Sequence, residues 1–333
     1  MKTLPFLAAV LLFGATAFAA EKETGDNKDA SESFIRKTFN VAPGGKLTIR
    51  ADRGSIDVKT ASTDKVEIEV TREPGRGADS DILEKHQVTF SQEGNDVTIE
   101  ARMRGAQNKS FWGRGNNLKV HYDVTVPAKY NVNLKTSGGS IAVKDLEGEA
   151  RTETSGGSLK LGQIKGPVHG RTSGGSIHVM GATQDVDIET SGGSISVGDS
   201  GGNVIARTSG GSIHVGDVKG AVTAETSGGG IEVNGATGPV KAHTSGGPIH
   251  AAITQQPTGP CTFETSGGGI EVKMASNVAI DLDAETSGGS VSTDFPVATS
   301  GELKKNHLRS KLNGGGPKVT VGTFGGSIHI KKM

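Results

Sequence analysis

The tetrapeptide Thr-Ser-Gly-Gly recurs with its threonine at positions 136, 154, 172, 190, 208, 226, 244, 265 and 286. The first seven copies are 18 residues apart, and the last two intervals are 21. A degenerate copy, Thr-Phe-Gly-Gly, begins at Thr323. A short fixed period means that one small unit is stacked on itself, each copy touching only its neighbours.

The unit Thr208–Glu225 defines what is stacked. Ile213 and Val215 alternate with Ser212 and His214, and Val222 and Ala224 alternate with Thr223 and Glu225. A period of two reads as a strand, so each unit holds two short strands. Gly210–Gly211 marks one corner, and Gly216–Asp217 with Lys219–Gly220 marks the other. Glycine suits such corners through its access to positive φ. Stacked copies lie ~4.8 Å apart as neighbouring strands. The expected fold is all-β: a single-stranded parallel β-solenoid (β-helix) with rungs of about 18 residues. A lone rung is unstable. Burial of about five side chains at ~1.5–3 kcal/mol each does not offset backbone entropy of ~1–2 kcal/mol per residue.

Parity sorts the columns. Ile141, Leu159, Ile177 and their equivalents through Val291 point inward, as does each repeat threonine. The residue before each threonine points outward and reads Lys135, Glu153, Arg171, Glu189, Arg207, Glu225, His243, Glu264, Glu285. Opposite charges on adjacent strands attract and like charges repel, so this column is a register device. Its alternation implies a two-rung unit of 36 residues. A second outward column carries His178, Ser196, His214, Glu232, His250, Glu271 and Ser292, with His329 in the last copy. His214, Glu232 and His250 fall on successive rungs. Imidazole and carboxylate are metal-ligand types, yet the two histidines stand ~9.6 Å apart by strand spacing. The spacing favours incidental surface residues, with a binding face along His178, His214, Glu232 and His250 as the alternative; no metal, cofactor or catalytic residue is expected.

The rest of the chain is read around this array. Residues 1–19 have the form of a secretory signal: Lys2, an apolar run Leu4–Phe13, then Ala17–Phe18–Ala19. Residues 20–33 are polar and aperiodic, as in a disordered leader. Residues 34–135 read as a β-rich capping region continuous with the solenoid, with one short helix over Asp79–Lys85. Residues 136–294 are the regular rungs. Residues 295–333 break the period and end in an irregular cap and final rung. Within the first region, Phe111, Trp112 and Arg114 form an aromatic, basic loop that is a second candidate contact point.

Composition narrows the function. Glycine supplies 51 of 333 residues and aromatics 4%, which argues against an ordinary globular core. Formal net charge is zero, so nothing marks a nucleic-acid or anionic-membrane partner. No segment of the mature chain is long and apolar enough to span a bilayer. Cys261 is the single cysteine and excludes an internal disulfide; beside Phe263 it reads as a small core residue.

Several stretches together resemble a known family. Val41–Ala42–Pro43–Gly44–Gly45–Lys46–Leu47 is followed by Arg53–Gly54–Ser55–Ile56–Asp57–Val58. Val124–Thr125–Val126–Pro127–Ala128 leads into the first repeat, and Gly314–Gly315–Gly316–Pro317 into Thr323–Phe324–Gly325–Gly326–Ser327–Ile328. In order and content these resemble DUF4097, a bacterial adhesin-like family of unknown function. The resemblance implies an exported β-solenoid, in some members linked with envelope stress, and transfers no catalytic residues. The expected role is an exported, non-catalytic interaction module of the periplasm or cell surface, facing envelope polysaccharide or envelope protein. A glycan-acting β-helix enzyme and a purely structural scaffold are the competing readings.

Overall fold

The computed structural model describes residues 32–104, 117–297 and 302–333. The expected signal, most of the leader, and Phe111, Trp112 and Arg114 lie outside the described residues. Among those described, a 14-stranded and a 15-stranded sheet face one another across a narrow core. Each rung gives one strand to each sheet. Ile213 sits opposite Ile195 on one side and Ile231 on the other, and Thr154 sits opposite Thr136. The isoleucine column from Ile141 to Val291 is buried throughout. The fold is the β-solenoid that the period predicts.

The threonines close the core at one corner. All ten, from Thr136 to Thr323, are buried. Each Oγ1–H donates to a glycine carbonyl one rung earlier: Thr154 to Gly139 at 2.8 Å, Thr172 to Gly157 at 2.7 Å, Thr190 to Gly175 at 2.7 Å. In most of them the same oxygen accepts from the backbone N–H three residues on, as Thr190 Oγ1 does from Gly193 at 3.4 Å. A buried hydroxyl thus has both its roles met. The accepting glycine is also where successive turns approach very closely. A Cβ on Gly193 would lie 2.2 Å from the Gly175 oxygen, and one on Gly157 would lie 2.0 Å from the Gly139 oxygen. Neither has a positive φ. Positive φ, the reason expected for these corner glycines, does not apply to them; contact between stacked backbones requires them. Gly54, which accepts from Thr136, is different, with φ of 104°.

On the outer face of the threonine sheet the charged column pairs as its alternation predicts. Lys135–Glu153 (2.6 Å), Arg171–Glu189 (3.1 Å), Arg207–Glu225 (3.1 Å) and His243–Glu264 (3.6 Å) each join two rungs. The pairs are exposed, so each contributes little on its own. Their value lies in register, since a slip by one rung sets like charges side by side.

At both ends the spatial order departs from the chain order. Near the start, the Lys46–Ala51 strand lies between Asn131–Thr136 and Asp96–Met103. Its rung-mate Ser55–Ala61 lies between Ile141–Val143 and Leu118–Pro127. Near the other end, Lys318–Thr323 lies between Cys261–Thr265 and Ile280–Thr286, and Ile328–Lys332 lies between Ile270–Met274 and Val291–Thr293. The last residues therefore form the penultimate rung, where the period alone places them last. Antiparallel strands then cover the ends. Phe34–Asn40 pairs with Lys65–Pro74, and His86–Glu93 with Asp96–Met103. His307–Leu312 pairs with Ile280–Thr286. The short helix is Ile82–Lys85, inside the predicted segment. Among the described residues no helix is long and apolar enough to cross a membrane.

Two expectations follow. Gly193→Ala forces backbone apart and is expected to cost at least ~2 kcal/mol in urea unfolding. Gly192→Ala, whose Cβ would first meet an oxygen at 3.1 Å, is expected to cost about 1 kcal/mol or less. Deleting residues 317–333 removes the middle of three rungs. Hydrogen exchange should then show loss of amide protection in Ile280–Thr286 and His307–Leu312 as well, beyond the deleted segment.

Candidate functional site

The outer face of the isoleucine sheet carries one unbroken row across all its strands. In register it reads Arg36, Glu69, Asp123, Asp57, Ala142, Lys160, His178, Ser196, His214, Glu232, His250, Glu271, His329, Ser292. The sequence placed His214, Glu232 and His250 on successive rungs, and the structure brings those three together. His178 stands apart, since Ser196 separates it from His214. The displaced closing rung adds what the period concealed: His329 falls between Glu271 and Ser292. Five residues, His214, Glu232, His250, Glu271 and His329, thus alternate imidazole and carboxylate.

These groups contact one another and their flanks. His214 Nδ1 is 3.2 Å from Glu232 Oε2, and His329 Nδ1 is 2.7 Å from Ser292 Oγ. Lys331 Nζ lies 2.6 Å from Glu271 Oε2, with Lys273 Nζ 3.6 Å from Oε1. The Lys331 hydrogen bond holds the Glu271 carboxyl below the usual glutamate range. Glu232, His250, Glu271, Lys273 and Met333 line a shallow concavity of about 350 Å³. A second, about 700 Å³, runs along the strand ends and is lined by Gln163, Thr183, Asp199, Asp217, Lys219 and Gln255. A third, about 560 Å³, lies at the start of the threonine sheet beside Lys46, Arg50 and Asp96.

Cys261 offers no nucleophile. It is buried, its sulfur accepts the Val240 N–H at 3.4 Å, and burial pushes its thiol up. A reactive cysteine needs the opposite shift and some exposure.

The model of the Toastrack DUF4097 family matches residues 45–331. The chain belongs to this family. Solved structures similar to it include a candidate adhesin of Bacteroides fragilis, at 12% identity and TM-score 0.33, covering 91% of this chain and 99% of that one. A candidate adhesin of Parabacteroides merdae matches at 11% identity and TM-score 0.38, covering 91% and 98%. A candidate lipid-binding protein of Parabacteroides distasonis matches at 16% identity and TM-score 0.40, covering 92% and 98%. No match is found among curated proteins.

The Toastrack array is capped by a buried polar cluster that repeat arithmetic cannot find. Arg72 is fully buried and donates to the carbonyls of Leu83 (3.1 Å), His86 (2.8 Å) and Glu32. It thereby ties the short helix to the first strands. His86 is fully buried, with Nε2 3.8 Å from Asp52 Oδ1. Burial, reinforced by the positive charges of Arg72 and Arg53, pushes the His86 imidazole down to about 4. Burial raises the Asp52 carboxyl, against the Met103 N–H that donates to it at 2.6 Å. Burial also raises the Tyr122 phenol.

The sign for His86 is fixed by its depressed value. Folding keeps it neutral, so stability is retained above about pH 6.5 and lost as pH falls from 6.5 towards 4. The loss is on the order of 3 kcal/mol at the lower limit. Asp52 acts oppositely, because its raised carboxyl favours the folded state on acidification. Urea unfolding from pH 7 to 4 should show the net decline, and His86→Gln should flatten it.

Proposed function

We propose that the protein is an exported, non-catalytic module of the cell envelope or cell surface that binds an extended polar polymer along the isoleucine-sheet face. The observation that carries the reading is the difference between the two outer faces. The threonine-sheet column neutralises itself in pairs. The isoleucine-sheet row presents imidazole and carboxylate on successive rungs, with Glu232, His250 and Glu271 lining one shallow concavity.

The chemistry favours a polysaccharide over a protein partner. Specific protein interfaces centre on buried aromatic and apolar anchors. The large apolar side chains exposed among the described residues are Phe34, Met180, Phe324 and Met333, and of these only Met333 lines the concavity beside the row. A row of donors and acceptors repeating every ~4.8 Å suits a repeating polar chain. Adhesin-like naming of the structural relatives agrees with a surface role but comes from fold similarity.

A glycosidase reading has less support. Such enzymes need an acid carboxyl with a raised pKa. Glu271 is shifted the other way by Lys331, and Glu232 is exposed to solvent.

The test is co-sedimentation of the purified protein with polysaccharide and membrane fractions separated from the source envelope. Saturable binding to the polysaccharide fraction is expected. The triple variant H214A/E232A/H250A should weaken it at least ~10-fold, a loss of ~1.4 kcal/mol, with its melting temperature unchanged. Equal binding by the variant removes the row from the interface. Absence of binding to every fraction removes the adhesin-like role itself.

A further inference from the structure

At the other end of the outward row, Asp123 and Asp57 form a second cluster with His121 beside the row. Ser55–Ala61 and Leu118–Pro127 are parallel neighbours, with Asp57 opposite Asp123. His121 and Asp123 are two residues apart on one strand, hence on one face. His121 Nε2 lies 3.2 Å from Asp57 Oδ2 and 3.0 Å from Asp123 Oδ2. One ligand atom from each of the three residues lies within 4.8 Å of the others. All three side chains are partly exposed, at 36–40%.

We propose that Asp57, His121 and Asp123 form a binding site for a divalent transition-metal ion of the zinc class. Three features of the cluster carry this. The first is spacing. Zinc lies 2.0–2.2 Å from imidazole nitrogen and carboxylate oxygen, which sets cis donors roughly 3.0–3.4 Å apart for octahedral to tetrahedral ligation. Both nitrogen–oxygen distances have that span before any ion enters. The second is charge. Two carboxylates stand in direct opposition on adjacent strands, where like charges repel and a cation held between them is stabilising. The third is orientation. Lys59 Nζ lies 3.3 Å from Asp123 Oδ1. It engages the carboxylate oxygen turned away from His121 and leaves Oδ2 to face the metal. Such outer partners fix the orientation of a ligating carboxylate.

The donor set selects the metal. Imidazole beside two carboxylates favours zinc and similar first-row ions over magnesium or calcium, which prefer all-oxygen sites. Three protein ligands on an open sheet face leave at least one coordination position for water or a ligand donor. The site is separate from the His214–Glu232–His250 segment, since Ala142 through Ser196 intervene in the row. It therefore does not depend on the polymer-binding reading.

Calorimetric titration of the metal-free protein with zinc alone tests the site. One ion per chain is expected, with a dissociation constant in the micromolar range. Asp57→Asn and His121→Ala should each weaken binding at least tenfold, whereas His250→Ala should leave it unchanged. Cobalt substituted for zinc should give a visible absorption band that His121→Ala abolishes. Thermal melts in chelator control for folding, and Asp57→Asn preserves the side-chain shape should the alanine variant misfold. Zinc binding weaker than millimolar overturns the proposal. So does binding that survives both Asp57→Asn and His121→Ala, or that disappears with His250→Ala.

Discussion

The contact on which the array depends is that between a threonine hydroxyl and the glycine carbonyl one rung below. It is made inside the molecule, where an unmet hydroxyl or carbonyl is costly. It needs two backbones closer than any side chain allows, so the glycine cannot carry a Cβ. Once each corner is seated on the one beneath, the strands leaving it are in register. Isoleucine then meets isoleucine and charge meets counter-charge without further instruction. The Ser158 N–H to Ser140 Oγ bond at 3.2 Å, and its equivalents on later rungs, repeat the same seating outside the core.

That seating gives every outward side chain a fixed neighbour, and the two sheets use it differently. On the threonine sheet successive residues cancel, which leaves a face with little to offer a charged or polar partner. On the isoleucine sheet the row is less balanced. Its middle carries histidine and serine, its C-terminal stretch alternates imidazole and carboxylate, and its N-terminal stretch sets two aspartates side by side. A regular scaffold thus displays several chemically distinct patches along one line. None requires a departure from the backbone repeat.

Where the period runs, residues were legible. His214, Glu232 and His250 could be placed from spacing alone, as could the buried threonines and the ion-paired column. The reason for the second glycine was misread, because a sequence does not reveal which backbones come close. Glu271 beside His329 was hidden, since the closing rung enters the stack out of order. Asp57 beside Asp123 was hidden likewise, as the rungs near the start are also out of order. The alternation His121–Tyr122–Asp123 was the available signal there, but it has meaning only once its neighbouring strand is known. Arg72 and His86 lie in non-repeating sequence, where burial of a charge has no periodic mark.

The paired charges on the threonine sheet set a rule for how such a molecule changes size. Insertion of a single charged rung between Glu189 and Arg207 must add either a second acid beside Glu189 or a second base beside Arg207. Insertion of two rungs, one basic and one acidic, preserves every pairing. Both ends are interlocked and cannot accept an extra rung without remaking the caps. Charged rungs are therefore best added in pairs, ~9.6 Å at a time, and additions belong in the interior. Each addition lengthens the opposite face by two positions, so the same step that keeps one side silent extends the side available to a partner.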